Sequence, residues 1–430
     1  MRRATNLPGI IISLAFSLAP VTFWLTQKPL NQRFGNFILN ATSTGQILGL
    51  VGLSMFAVSL IISSRLKIID SLFGGMNRAY IIHHIFGSVA LILLLFHPLL
   101  LAAAFFPVSW HRSALLLLPG TDWAINLGIT AQLLLISLLL LTVYRELPYH
   151  LWRATHKFLG LTFFIGGLHS LFVTSDTSVN LPLRYYLITL SVTALLLHLY
   201  RTVFGRFFVP RLRYTVQKVN SLENHIVELE LIPKNPDRVL RFLPGQFMFI
   251  QFLSPRLGES HPFSILSNSG NPLILAVKSL GDYTNRLRDI PIGGQALVEG
   301  PFGRFISANY PYPQIWIAGG IGITPFISMA EGLTVPASVD LYYVIKDPGE
   351  AVYLGVLQKL ASQKSGFRIF PHFSKNQGRF TAETIISNSP VSDKEIFLCG
   401  PPPMMHSLRL QLNKLGIRNS HIHSEEFSLD

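Results

Sequence analysis

Four histidines have the spacing to hold two metal centres one above the other. His83 and His97 lie in and around the apolar run Tyr80 to Leu99; His156 and His169 lie in the run from His156 to Leu171. With a rise of 1.5 Å per helical residue, the two levels on each run are about 20 Å apart. Ionisable side chains inside a membrane are costly and usually functional. Two imidazoles at one depth on facing helices suit bis-histidine ligation of a haem iron. The inner pair is His83 with His156, and the outer pair is His97 with His169. His83 and His97 share one helix face. His156 and His169 fall about 140° out of phase on an ideal helix, and Gly166-Gly167 is expected to supply the distortion that corrects this. His84 competes with His83 for the inner position. His198 reads as a polar contact within the bundle or as a further contact to haem or flavin.

A different chemistry is written after residue 205. A flavin needs a flat apolar slot, a hydroxyl or amide near its reactive nitrogen, and donors for its pyrophosphate. Gln246 in Pro244-Gly245-Gln246-Phe247 and the stretch His261-Pro262-Phe263-Ser264 carry such groups. Ser264 offers the hydroxyl, and His261, Pro262 and Phe263 the wall. In the stretch that starts at Val277 and Lys278, Gly281 to Thr284 allow backbone amides and a hydroxyl to approach a phosphate. Further on, Gly319-Gly320-Ile321-Gly322 follows a short apolar strand and precedes a helix opened by Thr324-Pro325, which fits a dinucleotide phosphate at a helix N-terminus.

The elements that must position these groups follow from the composition. Only 13% of the 430 residues are charged, against roughly 25% in a soluble domain. The apolar residues concentrate before residue 205. Six segments are long enough to span, each near the ~20 residues a bilayer requires: about 9–26, 46–64, 80–105, 124–144, 155–175 and 183–203. The first reads as a retained helix. Basic residues gather on alternate loops, which puts both termini in the cytoplasm and accounts for the net charge of +13 without nucleic acid. The single cysteine, Cys399, excludes an internal disulfide and a multi-cysteine iron–sulfur site. Between 206 and 308, short β-type runs broken by Pro and Gly predict an antiparallel β-barrel. From 309 to 430, strands alternate with helices and predict a parallel α/β sheet. The expected whole is a multi-domain membrane protein: a six-helix transmembrane bundle over 1–205, an FAD-binding barrel over 206–308 and an NAD(P)H-binding α/β domain over 309–430.

These motifs occur together, and in this order the chain resembles the ferric reductase and NADPH oxidase superfamily, in a compact bacterial form, over almost its whole length. The resemblance implies that His83, His97, His156 and His169 are haem ligands, and its spacing favours His83 over His84. It makes HPFS the flavin motif and GIGITP, Gly320 to Pro325, the nicotinamide-nucleotide motif. It puts Cys399, Gly400 and Pro401 of LCGPPPMM near the nicotinamide, and makes Phe427 the terminal aromatic that shields the flavin. Family members often carry an arginine for the 2′-phosphate where this chain has Lys346, with Ser374 and Arg379 nearby; NADPH is favoured and NADH stays open. The implied activity is transfer of electrons from cytosolic NAD(P)H through FAD and two b-type haems to oxygen or a ferric chelate outside the inner membrane. The alternative is a cytochrome and flavin subunit that serves a periplasmic protein partner.

Overall fold

The structure is a computed structural model and describes residues 7–425 apart from 145, 146, 148, 224 and 335–337. The chain divides into two compact units at Pro210.

The first unit is helical. Its main helices are α1 (Leu7–Gln27), α2 (Phe37–Ile62), α3 (Met76–Phe105), α4 (Trp123–Tyr144), α5 (Tyr149–Lys157), α6 (Leu159–Phe172) and α7 (Leu181–Thr202). Among the described residues, α1, α2, α3, α4 and α7 are the five helices long and apolar enough to cross a membrane. The sequence predicts six. The expected fifth span is broken at Phe158 into α5 and α6, and α6 has only 14 residues, about 21 Å. It runs unbroken through Gly166 and Gly167, so the expected distortion sits at Phe158 instead.

Helix α2 is the most enclosed of the five, 67% of its apolar window being buried against 28% or less in the others. Small residues along it let its neighbours come close. A Cβ on Gly52, for example, would sit 2.9 Å from Leu94 Cγ of α3. At one end of the bundle Arg33 is buried, pairs with Asp176 at 2.6 Å and lies 3.5 Å from the Trp24 ring centroid. This ties the loop after α1 to the loop between α6 and α7.

The second unit holds two sheets. Strands β1 (Leu212–Leu222), β2 (Ile226–Pro233), β3 (Phe247–Phe252), β4 (Ser260–Ser264), β5 (Leu273–Lys278) and β6 (Gln295–Phe302) form an antiparallel sheet in the order β4-β3-β6-β1-β2-β5. Its ladder does not close into a barrel: β4 and β5 are edges. Leu266 N–H, just after β4, does bond the Ile274 carbonyl of β5 at 2.9 Å. Alternate residues of these strands, among them Val216, Leu229, Met248, Ile250 and Leu275, fill one core.

Strands β7 (Gln314–Gly319), β8 (Val339–Ile345), β9 (Phe367–Phe373), β10 (Glu395–Cys399) and β11 (Ile422–Glu425) form a parallel sheet in the order β11-β10-β7-β8-β9. Every residue of β7, β8 and β10 is buried, as expected for strands covered on both faces. Helices α8 (Thr324–Glu331) and α9 (Leu354–Gln363) cover one face, and α10 (Pro402–Lys414) the other. The strand order reverses between β7 and β10. The two sheets are joined by Ser328 Oγ donating to the Ser267 carbonyl (2.8 Å) and Tyr353 Oη donating to Glu228 (3.1 Å).

Candidate functional site

Within the helical unit the two histidines expected at the inner level come together. The His83 and His156 ring centroids are 6.1 Å apart, with planes at 73°. His84 is exposed, so the structure turns His83, and not His84, toward His156.

Three of the four expected histidines share one device. His83 Nδ1 bonds the Ser59 carbonyl at 2.9 Å, His97 Nδ1 the Gly45 carbonyl at 2.7 Å, and His169 Nδ1 the Ala124 carbonyl at 2.7 Å. A carbonyl only accepts, so a neutral ring bonded this way carries its proton on Nδ1 and leaves its Nε2 lone pair for a ligand; at His83 the Ser59 hydroxyl lies at the same 2.9 Å from Nδ1. Metal-binding histidines are commonly held this way by their other nitrogen. His156 is placed differently, its ring stacked on Trp152 at 5.0 Å.

The two outer histidines occupy matching clamps. Gly45 gives a carbonyl to His97, and four residues on, Gly49 leaves room for its ring: a Cβ there would be 2.7 Å from Nδ1. Ala124 gives a carbonyl to His169, and four residues on, a Cβ on Gly128 would be 2.8 Å from Nδ1. Four residues make one helical turn, so one turn of α2 and one turn of α4 do the same work. The histidine spacing was legible in the sequence; this carbonyl-and-glycine signal was present too, but only the packing identifies it.

The fit to haem follows from the donor set. Among the described residues no three His, Cys, Asp or Glu side chains gather as a metal site. A pair of neutral imidazoles leaves four coordination positions of an octahedral metal to be filled, and a porphyrin supplies four in-plane nitrogens.

In the second unit, pairing of β3 with β4 puts Phe247 opposite Ser264. Gln246 is held there as well, its amide donating to the Gly303 carbonyl at 3.0 Å and its oxygen accepting from Leu243 N–H. His261 donates to Glu259 at 2.9 Å and lies on the Tyr283 ring at 3.8 Å. Pro262 and Phe263 are half-buried beside it. Two expected contacts look different in the structure. Thr284 Oγ1 accepts from the amides of Leu280 and Gly281, at 2.9 and 3.0 Å, so these donors shape the turn instead of facing a ligand. Val277 is buried in the sheet core and Lys278 approaches Glu350 at 4.0 Å.

The parallel sheet opens a crevice where its order reverses, and in such sheets ligands bind at the carboxyl ends of the strands flanking that point. Those ends are Gly319-Gly320 and Cys399-Gly400. A Cβ on Gly322 would meet the Cys399 carbonyl oxygen at 2.5 Å, and one on Gly400 would meet Gly319 Cα at 2.9 Å. Gly320, in contrast, has φ +53° and nothing within 4 Å of a would-be Cβ, the combination a closely approaching phosphate needs. Thr324 donates to the Ile321 carbonyl at 3.1 Å and Pro325 is buried at the first turn of α8. Pro401 is exposed at the mouth. Exposed Lys346 follows β8 and half-buried Ser374 follows β9, joined by the Lys375 amide on the Lys346 carbonyl; Arg379 is exposed in the next loop.

Glu425 is the residue the sequence reading missed. It is buried, pairs in register with Cys399, and its carboxylate lies 3.4 Å from where a Gly303 Cβ would be. Complete burial, and next the Glu425 charge, push the Cys399 thiol well above its ordinary range. Cys399 is therefore a neutral thiol at the carboxyl edge of β10. Phe427 lies outside the described residues.

Comparison with known proteins agrees with this division. Residues 48–167 match the family model for a ferric reductase like transmembrane component, 211–312 that for an FAD-binding domain, and 316–409 that for an oxidoreductase NAD-binding domain. The anthranilate 1,2-dioxygenase electron transfer component of Acinetobacter baylyi is 31% identical over 201 residues, which cover 44% of this chain and 59% of that protein. Dual oxidase 2 of Rattus norvegicus is 27% identical over 62% of this chain and 18% of its own length. The chain thus spans little more than half the length of the first curated relatives it matches. The structure of a flavohemoglobin from Malassezia yamatoensis with bound FAD and heme shares the fold with a TM-score of 0.54, covering 92% of this chain and 99% of that one at 15% identity. The chain thus joins a ferric-reductase-like transmembrane component to the FAD-binding and NAD-binding modules of oxidoreductases, the combination that its resemblance to the ferric reductase and NADPH oxidase type implies.

Proposed function

We propose that the chain moves electrons across a bacterial inner membrane, from cytosolic NAD(P)H through FAD and two b-type haems to an acceptor on the far side, oxygen or a ferric chelate. When bound, FAD supplies the conversion from two-electron to one-electron transfer and the haems supply the one-electron relay. The observation that carries this reading is the Nδ1-to-carbonyl bond at His83, His97 and His169, which leaves three Nε2 lone pairs directed away from the protein's own hydrogen bonds.

The residues then divide the work. His83 with His156 hold the inner site and His97 with His169 the outer one. In the 206–308 domain, Ser264 and Gln246 line the reacting edge of the flavin slot, and the edge strands β4 and β5 act as the two lips of a barrel. In the 309–430 domain, Gly320, Gly322, Thr324 and Pro325 shape the pyrophosphate turn, while Cys399, Gly400, Pro401 and Glu425 border the nicotinamide. Phe427, two residues past Glu425, covers the flavin ring. Lys346, Ser374 and Arg379 favour the extra phosphate of NADPH. Six crossings keep both termini in the cytoplasm, with α5 and α6 together making the fifth.

The test is an anaerobic visible spectrum of the full-length chain with FAD and NADPH, followed by air in one cuvette and a ferric chelate in another. The expected result is a low-spin b-type spectrum that NADPH reduces, and the faster reoxidant identifies the acceptor. Reoxidation by neither transfers the role of acceptor to a periplasmic protein. Absence of a low-spin b-type spectrum refutes the haem assignment.

A further inference from the structure

The helical run that carries His156 and His169 is interrupted at Phe158, and a ring from α7 lies against the interruption. Helix α5 ends at Lys157 and α6 begins at Leu159, with Phe158 between them at φ −69° and ψ −12°. In an unbroken helix the Leu161 amide would bond the Lys157 carbonyl. It bonds the Phe158 carbonyl at 3.0 Å instead. The ring of His198, on α7, packs against this turn. That ring fills the space a side chain at position 160 would need: a Cβ on Gly160 would lie 2.3 Å from His198 Nε2 and 2.4 Å from Cδ2. A side chain inserted into the i→i−4 ladder is one of the few causes of sharp helix kinks.

We propose that His198 is a positioning residue: its ring, seated against Gly160, holds the helix open at Phe158 and so turns His156 toward His83. The proposal rests on the reading of His83 and His156 as the inner haem pair. Gly160 is part of the device, since any other residue there would expel the ring.

The experiment compares the full-length chain with His198→Ala, His198→Gln and Gly160→Ala, measuring haem per chain and the low-spin ferric EPR signals of the two haems. His198→Ala is expected to lose or shift the inner-haem signal and keep the outer one, held by His97 and His169, as an internal control for folding. Gly160→Ala is expected to do the same. His198→Gln keeps a planar side chain in the seat against Gly160 and is expected to retain both signals. The proposal is overturned if His198→Ala retains both signals unchanged, or if both haems disappear together in the Ala and Gln variants alike. A wild-type chain without two low-spin haems overturns the haem reading itself, a result distinct from either of these.

Discussion

Replacing Gly49 by alanine tests the clamp on the outer histidine pair. The new methyl would start 2.7 Å from His97 Nδ1 and 2.8 Å from its Cε1. Ordinary contact begins near 3.4 Å, so the ring must move by about 0.7 Å (the difference 3.4 − 2.7). Its bond to the Gly45 carbonyl is 2.7 Å long, and the same movement takes it to roughly 3.4 Å, past the 2.7–3.2 Å range of a good N–H···O bond. A net bond is worth about 1 kcal/mol. Loss of such an outer-shell partner typically costs 10–100-fold in metal-site affinity, which is ~1.4–2.7 kcal/mol. Gly128→Ala should act equally on His169, where the would-be Cβ is 2.8 Å from Nδ1. The assay is a redox titration followed by haem quantification in the full-length protein. Both variants should weaken or shift the outer haem and leave the inner one unchanged, because the inner pair has no contact with Gly49 or Gly128. Wild-type content and wild-type potentials in both variants would refute the clamp.

Two predictions concern the nucleotide module. Gly322→Ala would drive a methyl to 2.5 Å from the Cys399 carbonyl oxygen, and backbone cannot rotate away as a side chain can. The ends of β7 and β10 must part, at a cost of ~1–3 kcal/mol typical of overpacking. The KM for NAD(P)H should rise with haem content unchanged; unaltered KM and thermal stability would argue against the crevice. Cys399 should resist thiol reagents in the native chain at pH 8 and react once the chain is unfolded. Burial, then Glu425, raise its pKa, so the neutral thiol persists at that pH and the reactive thiolate forms only as pH climbs toward the raised value. Rapid labelling of the native chain at pH 8 would contradict this.

Much of the molecule was readable from local chemistry. The apolar runs, the change in pattern after residue 205 and the alternation of strand and helix after residue 309 each follow from periods that hold regardless of context. The four histidines and the glycine turn at Gly320 were singled out from residue type and spacing. The rest was not readable, because it depends on conformations and neighbours that exist only in the folded chain. The fifth apolar segment reads as one span because nothing local marks the break; it is His198, 40 residues on, whose ring sits against Gly160 beside it. The glycine pair at 166–167 looked like the weak point because glycine is permissive, but permissiveness allows a bend without causing one. Thr284 read as approaching a phosphate, and folding adds that its oxygen also accepts the two amides of its own turn. Glu425 was visible in sequence but became a neighbour of Cys399 only through the pairing of β10 with β11. Periodicity and residue type by themselves determined which chemistry the chain carries and in what order along it. Tertiary packing decided which histidine faces which, where the helix breaks and which polar atoms are already spent, because hydrogen bonds and excluded volume between distant segments are set only when those segments meet.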